Sequence, residues 1–128
     1  MKEKVELEKA DVFFREDNIV EIRLKDDIEI TLEDSKRQYQ LISERYPNQE
    51  VCMLIVPGEH NTMTKEVREY ANKAEAKAMS KAEAVIVDNL AKRITYNFLS
   101  KFADKNMKVF DSEQKAVEWL KKEQAMIN

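Results

Sequence analysis

The chain has 128 residues, enough for one domain with a real core, and it is 43% hydrophobic and 37% charged, as expected of a globular domain with a heavily charged surface. Its net charge of −3, with acidic and basic residues interspersed, speaks against nucleic acid, which favours a basic patch. No run reaches the roughly 18 apolar residues of a membrane span, a lone cysteine allows no internal disulfide, and a lone glycine disfavours dinucleotide and phosphate loops.

The opening Met1-Lys2-Glu3-Lys4-Val5-Glu6-Leu7 alternates charge and lacks the apolar core of a signal peptide, so the expected compartment is the cytoplasm. Two strands follow. Ala10, Val12 and Phe14 alternate with Asp11, Phe13 and Arg15, and Val20, Ile22 and Leu24 alternate with Glu21, Arg23 and Lys25. Such alternation predicts one covered face, with Glu21 on the open one. Asp17-Asn18 between them suits a tight hairpin. Thr31 reads as a helix N-cap with Asp34 as its capping-box partner, and the helix runs from Leu32 to Tyr46, where Pro47-Asn48 stops it.

Val51 to Val56 is an unbroken apolar run ended by Pro57-Gly58, the pattern of a strand buried on both faces of a parallel sheet. Cys52, inside it, reads as a small buried hydrophobe. Thr64 is the next expected N-cap, and a helical tract follows it with an expected break near Asn72. Ala84 to Val87 is a second short apolar strand. Asp88 or Asn89 caps a helix whose apolar stripe is Leu90, Ile94, Phe98 and Phe102, with Tyr96 off the stripe. Met107 to Phe110 is the last strand, and Asp111 with Gln114 caps a final helix that buries Ala116, Val117, Leu120 and one side of Trp119. The order β-β-α-β-α-β-α-β-α predicts a single α/β domain over residues 1–128: a mixed, mostly parallel sheet of four or five strands, an antiparallel N-terminal hairpin, flanking helices and right-handed crossovers.

Three segments carry a family likeness: Ala82-Glu83-Ala84-Val85-Ile86-Val87-Asp88-Asn89-Leu90-Ala91-Lys92-Arg93-Ile94, then Asn97-Phe98-Leu99-Ser100-Lys101-Phe102, then Val109-Phe110-Asp111-Ser112-Glu113-Gln114-Lys115-Ala116-Val117-Glu118-Trp119-Leu120. With the element order, they resemble the STAS domains of anti-sigma-factor antagonists, and within these the SpoIIAA-like (STAS/SEC14-like) group. The likeness covers about Ala10 to Lys122. It implies a module without catalysis that binds protein partners or, in some members, small ligands. Partner-switching members carry a phosphorylatable serine where the central strand feeds a helix. The matching loop here, Pro57-Gly58-Glu59-His60-Asn61-Thr62-Met63-Thr64, has threonines and no serine, which departs from that pattern.

His60 is a residue type that can act as a general base, but base catalysis needs an orienting carboxylate, for which Asp88 is the candidate; otherwise it is an exposed loop histidine. One His and one Cys without ligand spacing supply no metal set, and no cofactor is implied. Thr62 and Thr64 serve as turn and cap residues, or as sites where a phosphate would face a helix N-terminus. Lys92 and Arg93 sit in a helical first turn, where cations are disfavoured, which hints at an external anion or acidic partner. Tyr96 and Met63 fall off the apolar stripes and are expected to join an interface patch, with a homodimer contact the simplest use. The expected function is thus a cytoplasmic regulatory or protein-interaction module, not an enzyme. Its surface is the loop residues Pro57, Gly58, His60, Thr62 and Thr64 with Asp88, Asn89 and Arg93. The alternative is a carrier of a small apolar or anionic ligand in a cleft beside that loop.

Overall fold

The computed structural model describes residues 2–71, 80–102 and 106–126, and the side chains of these apart from 71 and 97–102. Its strands are β1 (Glu3–Glu6), β2 (Ala10–Phe14), β3 (Ile19–Leu24), β4 (Glu29–Ile30), β5 (Val51–Val56), β6 (Thr62–Met63), β7 (Ser80–Ile86) and β8 (Met107–Phe110). Its helices are α1 (Leu32–Arg45), α2 (Lys65–Ala71), α3 (Leu90–Phe102) and α4 (Glu113–Gln124). Six strands form one sheet in the order β1-β2-β3-β5-β7-β8, and β4 and β6 pair by themselves. Contacts among β1, β2 and β3 are antiparallel, and β3, β5, β7 and β8 run parallel.

The five expected strands are therefore present, with β1 added at the antiparallel edge. Its charged Glu3, Lys4 and Glu6 masked it from an apolar pattern, and such charges also protect an edge strand from pairing with other chains. The hairpin turns at Arg15–Ile19, where Asn18 adopts φ 64°. Thr31 caps α1 in a complete capping box with Asp34. The last helix is capped by Ser112, not by Asp111: the Ser112 hydroxyl accepts from the Lys115 amide, while Asp111 bonds the Lys115 ammonium. The expected break near Asn72 lies outside the described residues.

Two apolar layers flank the sheet. On one face Val12, Phe14, Val20, Ile22, Val51 and Met53 pack with Tyr39 and Ile42 of α1 and Tyr70 of α2. On the other, Ile19, Cys52, Leu54, Ala82 and Ala84 pack against Ala116 and Leu120 of α4. The small alanines of β7 let α4 approach closely. Burial pushes the Cys52 thiol up to about 11, so it packs as a hydrophobe and is not a reactive thiolate.

Glu21 departs from the expected alternation. It lies in the middle of β3 on the α4 face and is 0% exposed. α4 packs over β5, β7 and β8. Over β3, Lys2, Arg15 and Arg23 close around the Glu21 carboxylate at 2.8, 3.2 and 2.6 Å. Arg23 continues to Glu113 at the start of α4, and Arg15 to Asp17 in the hairpin. Burial alone would push the Glu21 carboxyl up. The hydrogen bonds from Lys2 and Arg23 outweigh it and hold the group below its ordinary 4.5.

A depressed carboxylate contributes stability above its unfolded-state pKa and loses it as the pH falls through the folded value. Glu21→Gln leaves three cations without their carboxylate and is expected to cost about 3 kcal/mol near neutrality, the low end for a broken buried pair because Lys2 and Arg23 reach water. The gap between variant and parent should narrow as the pH falls below the ordinary carboxyl value of 4.5 and close only once the lowered folded value is passed, which urea unfolding across that range measures.

Candidate functional site

The parallel strands β3, β5, β7 and β8 all end at the same edge of the sheet, so the segments after Leu24, Val56, Ile86 and Phe110 share one end of the molecule. This is where ligands and partners meet an open α/β sheet. The Pro57–Thr64 loop after β5 lies against the turn after β3. The Asn61 amide donates to the Lys25 carbonyl and its oxygen accepts from the Gly58 amide, both at 2.8 Å. The Glu59 amide donates to the Asp26 carboxylate, and the Asp27 amide to the Glu59 carbonyl. Thr62 and Thr64 then donate backbone bonds to Ile28 and Ile30, extending the β4–β6 pair. The loop is thus fixed by hydrogen bonds along its whole length.

Gly58 serves this docking through its size. Its φ is not positive, and the left-handed positions in the turns belong to Asp27 and His60, both at φ 55°. A Cβ on Gly58 would stand 2.5 Å from the Lys25 carbonyl oxygen and 2.8 Å from the Asp26 carboxylate. What Gly58 supplies is therefore the close approach of two main chains and not a left-handed backbone.

His60 pairs with Asp27, not with Asp88, at 3.0 Å between Nδ1 and the carboxylate. Both side chains are open to water, 81% and 75% exposed. No apolar wall surrounds the pair, so it has the character of a surface contact and lacks the enclosure that general-base catalysis uses. Asp88 instead holds Lys92 at 3.0 Å, together with Glu59 from the β5 loop at 3.0 Å. That double pair ties α3 to the loop. It also resolves from within the molecule the misfit of Lys92 in a helical first turn. Burial would lower the Lys92 ammonium, but the bonds to Asp88 and Glu59 win and raise it; Asp88 is lowered in turn, first by its bond to Lys92.

Asn89 is the N-cap of α3, its side-chain oxygen accepting from the Lys92 amide at 2.9 Å. Arg93 is exposed on the next turn. Thr64 precedes α2, but its hydroxyl does not cap it: the oxygen is buried and has no hydrogen-bond partner among the described residues. Thr62 is exposed on β6, and Pro57 is buried beneath the loop. The site residues expected from the sequence therefore gather at one end, with Pro57 buried and Gly58 and Thr64 half-buried as the frame and His60, Thr62, Asp88, Asn89 and Arg93 on the outside.

Comparison with known proteins agrees with this architecture. Residues 13–124 match the family described as "Domain of unknown function (DUF7793)". The chain belongs to that family. Among solved structures, an uncharacterised DUF3478-family protein from Shewanella loihica PV-4, with a SpoIIAA-like fold, superposes with a TM-score of 0.60. It is 12% identical, over 94% of this chain and 92% of that one. At that identity the likeness shows the fold, and the SpoIIAA-like resemblance read from the sequence holds at that level. A comparison with curated proteins finds no match.

Sequence reasoning missed three members of this loop cluster. Asp26, Asp27 and Glu59 carry the contacts to the Glu59 amide, His60 and Lys92, and read as ordinary turn residues. The uncompensated Lys92 was the one available signal that a carboxylate must approach α3 from elsewhere. A depression beside β4 is lined by Leu7, Lys9, Leu24, Ile30, Asp34 and Arg37. Lys9 spans it, bonding Asp34 and the Glu29 carbonyl. Among the described residues no group of three or more His, Cys, Asp and Glu is placed to hold a metal ion, and no helix is long and apolar enough to cross a membrane.

Gly58→Ala tests the docking of the loop. The added methyl meets main-chain atoms that cannot swing away, so about 1–3 kcal/mol of stability should be lost, the range for overpacking. Hydrogen exchange should quicken first at the amides of Glu59 and Asp27, whose bonds span the two turns.

Proposed function

We propose that this chain is a non-enzymatic regulatory or protein-interaction module whose partner-facing surface is the loop cluster at the carboxyl ends of β3, β5 and β7. The observation that carries this reading is the hydrogen-bonded fixing of the Pro57–Thr64 loop to the 25–28 turn and, through Glu59 and Lys92, to α3. A surface held rigid before contact loses little freedom on binding. His60, Thr62, Asp88, Asn89 and Arg93 stand outward on it as polar contacts. The SpoIIAA-like fold supports the same class by analogy. The carrier alternative calls for a ligand-sized cleft beside the loop; the depression beside β4 is not lined by that loop. The open His60–Asp27 pair likewise favours a contact over a reaction.

The test is native mass spectrometry of the full chain purified gently from its own host. A complex with a second protein is expected, and the exposed substitutions His60→Asn and Thr62→Arg together should weaken it by about tenfold or more while leaving the melting temperature unchanged. Asn is chosen because it tolerates the left-handed backbone. A single copy carrying a small molecule would overturn the reading in favour of a carrier.

A further inference from the structure

Helix α3 sits on the molecule the opposite way round from its apolar pattern. Leu90 and Ile94, one turn apart on one side, are 70% and 61% exposed. On the other side, Lys92 is only 13% exposed, and burial raises the Tyr96 phenol. The expected stripe therefore faces outward where it is described, and Tyr96, expected at an interface, faces in; Phe98 and Phe102 lie outside the described side chains. Leu90 directly adjoins the site, two residues from Asp88.

At the end of the sheet where α3 begins, the segments after all four parallel strands carry carboxylates. Asp26 and Asp27 follow β3, Glu59 follows β5, Asp88 follows β7 and Asp111 follows β8, and all five are exposed. The nearby cations are largely engaged. Lys92 is held by Glu59 and Asp88, and Lys115 by Asp111. His60 lies on Asp27, and Arg93 acts on Asp111 through space. The rim is net acidic and the centre is apolar.

We propose that Leu90 and Ile94 form the apolar centre of a docking surface for a basic amphipathic helix of a protein partner. This rests on the interaction-module reading and names the chemistry of its partner. An apolar anchor on such a helix would cover the two side chains, and its lysines or arginines would meet the rim from either side. A second copy would bring the same carboxylates against their like, and an anionic lipid surface would do the same, so both are disfavoured by charge.

The probe is a labelled peptide of about 18 residues with leucines at helical spacing and lysines elsewhere, titrated into the full chain, beside an isostere carrying glutamates for lysines. The lysine peptide should bind at least about tenfold more tightly, and binding should weaken as salt rises. Leu90→Asp with Ile94→Asp should reduce it by a further tenfold or so. Both positions face water, and the milder Leu90→Ser, Ile94→Ser pair should act in the same direction. Equal or tighter binding of the glutamate peptide overturns the proposal, as does binding indifferent to both pairs of substitutions. A dimer in sedimentation, or binding to phosphatidylserine vesicles, that the same substitutions abolish also overturns it. If the host complex still responds to His60→Asn and Thr62→Arg, such a failure removes the partner chemistry alone; if it does not, the interaction reading falls with it.

Discussion

The contact on which the candidate site depends is the approach of Gly58 to the Lys25 carbonyl. Two parallel strands ending side by side do not by themselves fix the loops that follow them. Here the β5 loop is laid against the β3 turn so closely that a methyl group at position 58 would overlap main-chain oxygen. Asn61 then reaches that carbonyl, Asp26 takes the Glu59 amide, and Glu59 takes the Asp27 amide. The β4–β6 pair and the His60–Asp27 pair follow from this docking, because both need the two turns in register. Glu59 is also delivered by it to Lys92, which carries the order one strand further, onto α3.

Much of this fold is written locally. Thr31 and Asp34 make a capping box because both side chains fall within one turn, and no distant residue is needed. Val51 to Val56 forms the strand its apolar run indicates, and Asn18 and Asn48 take the left-handed backbone at the turns where they stand. Glu21 shows the limit of alternation. Period two tells which residues share a face, but whether that face meets water depends on a helix more than ninety residues away and on three cations, two of them from outside β3. Gly58 is the same lesson in steric form. A glycine after a proline reads as a turn residue, and its true neighbour, Lys25, is visible only once the strands are side by side.

Helix α3 separates two things that an apolar stripe is often taken to say at once. Four-residue spacing establishes that Leu90 and Ile94 share a side; it does not say that this side faces the core. Lys92 shows what opposes it. A cation in a first turn works against the helix dipole, and its remedy is a carboxylate brought in from outside the helix. Asp88 lies one turn back and is local, whereas Glu59 is 33 residues away. Placing Lys92 between them turns the Lys92–Tyr96 side inward and the Leu90–Ile94 side outward.

Two unfavourable arrangements therefore meet on one helix: a largely covered ammonium and an uncovered aliphatic pair. Either could be relieved by turning α3 about half a revolution, and what stands against that turn is the pairing of Lys92 with the loop fixed by Gly58. Places where local preference is overruled in this way tend to be strained or functional. The Lys92 pairs are charge-assisted and mostly shielded from solvent on the lysine side, which makes them stronger than free surface pairs. They end at Glu59 and Asp88, the same carboxylates that line the rim beside Leu90. The element that holds the helix outward-facing and the element that gives its surroundings their charge are thus one set of residues.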